Sequence, residues 1–98
     1  MRMLLKFDMS LEAGREAIRS GKIAELNQSL MERIQPEAAY FSTENGTRTS
    51  YIFFDLKEPS QIPAIAEPLF QNLGARVEFI PVMNRDDLQK AIAELADS

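Results

Sequence analysis

The sequence contains no cysteine and no histidine. Their absence excludes disulfide bonds, thiol nucleophiles, imidazole bases and nearly all zinc, copper and haem ligation. Carboxylates, lysine, arginine, tyrosine and amides are the side chains that remain for chemistry. We therefore expect no metal site and no cofactor.

Positive charge is also scarce. The 98 residues include 11 Lys and Arg against 15 Asp and Glu, a net charge of -4. Nucleic-acid binding needs clustered basic residues that displace counterions from phosphates, so this class is disfavoured. The segment MRMLLKFDM includes Arg2, Lys6 and Asp8 and is too short and too charged for a signal peptide or a membrane span. We expect a cytoplasmic protein that binds neither nucleic acid nor a membrane.

Three stretches predict four strands. Residues 3 to 9 alternate between apolar and mixed positions, which is the period-two pattern of a strand. The stretch EAAYFSTENGTRTSYIFFDLKE has two β-rich runs around Asn45-Gly46, a dipeptide favoured in type I′ hairpin turns. The stretch ARVEFIPVM predicts a fourth strand. Pro81 places this strand at an edge of the sheet, because proline cannot donate a ladder hydrogen bond.

Apolar residues at helical spacing predict helices between these strands. Ser10 is positioned to cap the first, whose apolar stripe extends to Ile34 with a break near Gly21. Pro63 falls in the first turn of the second, where a missing N–H costs little, and Gly74 ends it.

A further amphipathic helix is predicted at the C-terminus. Asn84 and Asp87 resemble a capping pair. The apolar residues that follow have i, i+3, i+4 and i+7 spacing and are Leu88, Ala91, Ile92 and Leu95.

The predicted order β-α-β-β-α-β-α is that of the α+β ferredoxin-like fold with one appended helix. In this fold helices cover one face of a four-stranded antiparallel sheet of order 4-1-3-2. The fourth strand then lies at an edge, as Pro81 requires. Because no repeat, low-complexity segment or linker divides the chain, residues 1–98 are expected to form one domain.

The second face of this sheet is predicted to mix aromatic, aliphatic and charged residues. Four consecutive large residues, Tyr51 to Phe54, occupy both faces, which indicates that both faces are covered. A second copy of the chain is the expected cover. The predicted cross-strand pairs on this face are Tyr40 with Tyr51, Lys6 with Glu78, and Asp8 with Arg76.

With a covered second face, the strands MRMLLKFDM, AAYFSTENGTRTSYIFFDL and ARVEFIPVM resemble those of the dimeric α+β barrel superfamily, in which two ferredoxin-like sheets pack face to face. The stretches QPEAAYF, PSQIPAIAEP and VEFIPVM also resemble a family of short, uncharacterised bacterial proteins with KPEAAYF, PSQIPAIAEP and VEFxPVM patterns. The superfamily resemblance implies a homodimer, and its members include cofactor-independent monooxygenases and muconolactone-isomerase-like enzymes. Its haem-ligating members use a histidine that this chain lacks. Fold alone does not choose among these activities.

Two functional hypotheses follow. In the first, a homodimer binds a small organic molecule in an amphipathic cleft between two sheets; an enzyme of this kind would oxygenate or isomerise a reactive substrate by positioning it. In the alternative, side chains fill the space between the sheets, and the dimer surface is the functional part of a non-catalytic interaction or regulatory module. The candidate cleft residues are Lys6, Asp8, Tyr40, Tyr51, Phe53, Asp55, Arg76 and Glu78.

The candidate residues also have structural interpretations. The two tyrosines could stabilise the sheet by packing across strands, and the four charged residues of the outer strands could form an ion-pair network that sets the dimer register. Asp55, beside aromatic residues, could have a raised pKa suited to proton abstraction or could be solvated at the sheet rim. The sequence assigns no catalytic residue.

Overall fold

The computed structural model describes residues 1–97 of the chain. These residues form the strands β1 (Arg2–Asp8), β2 (Ala38–Glu44), β3 (Thr47–Asp55) and β4 (Arg76–Pro81). They also form the helices α1 (Leu11–Ser20), α2 (Lys22–Ile34), α3 (Gln61–Leu73) and α4 (Arg85–Ala96).

The four strands form one antiparallel sheet of order β2-β3-β1-β4. This order confirms the predicted arrangement and places β4 at an edge. Asn45 and Gly46 join β2 to β3 with φ values of 53° and 78°, the positive values that a type I′ turn requires. The turn sets the register in which Tyr40 lies opposite Tyr51.

The register between the first and last strands is also confirmed. Lys6 lies opposite Glu78, and Asp8 lies opposite Arg76. Because side chains alternate along β1, Met3, Leu5 and Phe7 lie on the face opposite Lys6 and Asp8, where they are buried.

Three helices cover this apolar face of the sheet. Leu5 and Ile52 of the sheet are fully buried in one cluster with Leu30 of α2 and with Ile65 and Leu73 of α3. Burial of each such side chain contributes about 1.5–3 kcal/mol to folding. The prediction that the helices lie on one face of the sheet is confirmed.

The region predicted as the first helix forms two helices, α1 and α2, in the structure. Ser10 caps α1 by accepting a hydrogen bond from the amide of Ala13, and α1 ends at Gly21, whose φ of 80° starts α2 in a new direction. Because the axis changes there, one apolar stripe does not continue through both helices. Ala17 is buried, whereas the neighbouring apolar residue Ile18 is about half exposed.

The start of α3 has no side-chain cap. Pro63 is the third helical residue, in the first turn as predicted, and Gly74 ends the helix. Ser60 occupies the cap position, but its side chain makes no capping hydrogen bond. The side-chain oxygen of Gln61 instead accepts hydrogen bonds from the amides of Lys57 and Glu58, and so it fixes the chain that enters the helix.

The last helix, α4, extends away from the rest of the molecule. Asn84 and Asp87 form the predicted capping box. The helix buries no residue, and its apolar side chains Leu88, Ile92 and Leu95 are exposed. The molecule measures 56 × 28 × 18 Å as a result.

Element order and sheet topology define an α+β ferredoxin-like fold with an additional C-terminal helix.

Candidate functional site

The face of the sheet opposite the helices holds the predicted cleft residues. Tyr40 is 63% exposed and contacts Phe53 edge-on, with 6.5 Å between the ring centroids. Leu4 and Phe53, which pair across β1 and β3, are half-buried on the same face. The centre of this face is therefore apolar and open to solvent.

A polar cluster lies beside the apolar centre, near the hairpin turn. The Nζ atom of Lys6 lies 2.5 Å from Oε2 of Glu44, and the hydroxyl of Tyr51 donates to Oε1 of Glu44 over 2.5 Å. The Lys6 ammonium is also 6.0 Å from the centre of the Tyr51 ring. Glu44 thus holds two of the predicted residues together.

Glu44 was not among the predicted site residues. Lys6 nevertheless forms its ion pair with Glu44, and not with Glu78, its neighbour on the adjacent strand. The signal for Glu44 was present in the alternation of β2, which places position 44 on the same face as positions 40 and 42.

Hydrogen bonding sets the protonation of this cluster. The hydrogen bond to Glu44 raises the pKa of Lys6, and the hydrogen bonds from Lys6 and Tyr51 lower the pKa of Glu44. The hydrogen bond to Glu44 also raises the pKa of the Tyr51 hydroxyl. At neutral pH the cluster therefore consists of a cation, a carboxylate and a phenol, so it can hold a polar group but is poorly suited to accept a proton.

A second ion pair lies at the edge of the sheet. Arg76 binds Asp8 with its guanidinium, Nε lying 3.2 and 3.1 Å from the two carboxylate oxygens, and Nη2 also contacts Asp8. Arg76 holds the pKa of Asp8 below its ordinary value, and the carboxylate raises the pKa of Arg76. Lys6, Asp8, Arg76 and Glu78 surround a depression of about 180 Å³.

Asp55 lies apart from this cluster at the other end of β3. Its carboxylate accepts hydrogen bonds from the Lys57 ammonium and from the amino group of Met1, both over 2.7 Å. These cations lower its pKa to about 2. The hypothesis of a raised pKa is therefore wrong: the decisive neighbours of Asp55 are cations, not the aromatic rings on its face.

A larger cavity of about 520 Å³ lies on the helical side of the sheet, between α2 and the hairpin. Most of its wall is apolar and comes from β1, α2, β2 and α3. Its principal apolar residues are Phe7, Met9, Ile23, Leu26, Leu30, Phe41, Leu69 and Leu73. The sequence patterns did not indicate this cavity, because its volume depends on how far α2 lies from the sheet and not on the residue types alone.

The polar part of the cavity wall comes mainly from β3. Arg48 is the one charged residue among the cavity-lining residues in the described part of the chain, and Thr49 and Ser50 follow it. No carboxylate of residues 1–97 lies within 4 Å of the Arg48 guanidinium, so this cation has no ion-pair partner there.

Neither a metal-binding cluster nor a membrane-spanning helix is found in residues 1–97. No group of three or more acidic side chains is arranged to hold a metal ion. No helix in this range has both the length and the apolar character that crossing a bilayer requires. No protein-family model matches the chain, and no curated protein matches it. The cavity and the open sheet face are therefore the basis for a functional proposal.

Proposed function

We propose that this protein binds a small organic molecule in the cavity between α2 and the sheet. The observation that supports this proposal is the cavity itself. Its volume of about 520 Å³ lies within the range of roughly 300–1,000 Å³ that is usual for ligand sites. Its mostly apolar wall, with a small polar region from β3, also matches the usual composition of such sites.

The cavity suits binding better than catalysis. Its wall combines apolar residues with Ser and Thr residues, the amide residue Asn27 and one guanidinium, and it includes no carboxylate, lysine or tyrosine. A ligand would gain affinity by removing its apolar surface from water, at roughly 25 cal/mol per Å². The ionisable groups of the open face lie on the other side of the sheet, so they do not contribute to this cavity.

The proposal can be tested with Nile red, an uncharged probe that fluoresces in apolar surroundings. We expect the wild-type protein to bind the probe, and Leu26→Trp to weaken binding about tenfold or more, because the indole ring occupies cavity volume and overpacking costs about 1–3 kcal/mol. Gln28→Trp is the matched control, since Gln28 is exposed on the same helix and does not line the cavity. A wild-type protein that binds no probe, or equal affinities in all three proteins, would contradict the proposal.

We further propose that the open sheet face forms a homodimer interface. The exposed aromatic ring of Tyr40 supports this proposal, because it adjoins the half-buried side chains of Phe53 and Leu4 on the same face. A sheet face exposed to water is ordinarily polar, and contiguous apolar patches often mark sites of association. Two such faces packed together would enclose the cluster around Lys6 and Glu44, as in the predicted cleft between sheets.

Sedimentation equilibrium tests the homodimer. We expect a mass above the 11.1 kDa of one chain, rising with protein concentration. Phe53→Asp places a charge in the centre of the face and should restore the single-chain mass. Phe70→Asp is the control, because Phe70 is an exposed aromatic residue on α3, away from this face. A single-chain mass at every concentration for the wild-type protein would exclude this proposal.

A further inference from the structure

The cavity between α2 and the sheet contains a cation without a counter-ion. Arg48 belongs to β3 and lies opposite Thr43 of β2, on the helical side of the sheet. Its Nη1 atom lies close to α1, because a Cβ atom added to Gly14 of that helix would be 3.1 Å from it. The guanidinium is therefore placed where α1 meets the sheet, and it forms part of the cavity wall.

The environment of Arg48 is unfavourable for an unpaired charge. Arg48 is half-buried, and the neighbouring wall includes the side chains of Met9 and Phe41. Three other arginines have carboxylate partners: Arg2 binds Glu37, Arg19 binds Glu16, and Arg76 binds Asp8. Arg15, Arg33 and Arg85 are exposed, so water solvates their charges. A half-buried cation with no carboxylate within 4 Å is one that an incoming anion can satisfy, and arginine is suited to bind a carboxylate through two hydrogen bonds.

We infer that the ligand of this cavity is an amphipathic anion, with an aliphatic or aromatic body and a carboxylate at one end. This inference rests on the proposed function and specifies its ligand class. The body occupies the apolar part of the cavity between Leu26, Leu30 and Leu73, and the carboxylate pairs with Arg48. Ser50, two residues along β3, is on the same side of the sheet, and its hydroxyl adds a neutral donor to the wall that contains the guanidinium.

The experiment compares two probes that differ only at one end, decanoate and 1-decanol, by their displacement of bound Nile red. Charge-assisted hydrogen bonds are about twice as strong as neutral ones. We therefore expect decanoate to compete at least about tenfold better than decanol in the wild-type protein. In Arg48→Gln the ratio of the two affinities should fall about tenfold, and Arg48→Lys should keep most of the preference, because it keeps the charge.

Two controls make the outcomes distinct. Arg33→Gln removes an exposed positive charge of α2 that does not line the cavity, and it should leave the ratio unchanged. Circular dichroism shows whether each variant is folded. Equal competition by decanoate and decanol, or an unchanged ratio in folded Arg48→Gln, would overturn the inference and leave Nile red binding and the proposed function intact. Absence of Nile red binding to the wild-type protein would overturn both.

Discussion

Helices α3 and α4 have similar lengths and opposite environments. Helix α3 has 13 residues and buries Ile65, Ala66, Leu69 and Leu73, whereas α4 has 12 residues and buries none. Yet α4 has the more regular sequence, with a capping box and an uninterrupted apolar stripe, while α3 contains Pro63 and Pro68. The comparison shows that local sequence determines where a helix forms, but it does not determine what the helix packs against.

The two helices differ in the source of their stability. An isolated helix of about 12–15 residues is marginal in water, because propensity and capping barely offset the cost of nucleation. Helix α3 gains its stability from the core, and α4 has its cap and its internal hydrogen bonds. The exposed stripe of Leu88, Ile92 and Leu95 is thus a second apolar surface, in addition to the open sheet face.

The largest expected effect is the loss of a core side chain from α3. Ile65 is 2% exposed, and Ile65→Ala should lower the free energy of unfolding by about 2–5 kcal/mol. The matched change Ile92→Ala removes the same atoms from α4, where the side chain is 54% exposed, and should cost no more than about 0.5 kcal/mol. Urea denaturation of both variants measures the difference. Similar losses in the two variants would show that α4 packs against another surface in solution, and a dependence on protein concentration would identify a second copy as that surface.

The next effect compares how the two helices begin. Gln61→Ala removes the acceptor that binds the amides of Lys57 and Glu58, and it should lower the global free energy of unfolding by about 1 kcal/mol. Asn84→Ala breaks the capping box of α4 and should leave global stability nearly unchanged, because α4 buries no side chain in the core. Amide hydrogen exchange distinguishes the two results: faster exchange should be confined to α4 in the second variant. A global loss of protection in Asn84→Ala would refute the independence of α4.

The smallest effect concerns pH and the segment that leads into α3. Because Lys57 and the amino group of Met1 lower the pKa of Asp55 to about 2, this carboxylate binds protons more weakly in the folded chain than in the unfolded one. Its contribution to stability is present above the unfolded pKa of about 3.9 and is lost as the pH falls toward 2. In Asp55→Asn this part of the acid dependence should disappear, which urea denaturation at several pH values measures. The effect should be small, since Asp55 is exposed and its ion pairs are screened by solvent.

Sequence reasoning located the fold better than the site. The register of the sheet could be predicted because Asn45 and Gly46 define the turn and because strand alternation permits only one pairing that buries Leu5 and Ile52. It also predicted the pair of Asp8 and Arg76, whose positions face each other on neighbouring strands. Side chains that meet across more than one strand, such as Lys6 and Glu44, are beyond this kind of reasoning because rotamers decide which partner is reached.

The cavity illustrates the same difference. Phe41 and Arg48 share one face of the hairpin, but no pattern associates them with Leu30 before α2 is placed over that face. The break at Gly21 was predicted, but the direction in which α2 leaves it follows from φ and ψ and from the packing of Leu30 and Ile34. Arg48 therefore gave no signal as a residue of interest, although it is the only charged side chain among the described residues of that wall.

The sequence by itself determined the order of helices and strands, the hairpin, the edge position of β4 and the face of β1 that is buried. These features depend on interactions between residues close in the chain, or on apolar residues that recur every two or 3.6 positions. Both can be read directly from the order of the residues. The tertiary structure alone decided that α4 buries none of its residues, that Asp55 lies between two cations, and that α2 leaves space over Arg48. Such features depend on distances between segments far apart in the chain, which the close packing of the whole core sets and no local pattern encodes.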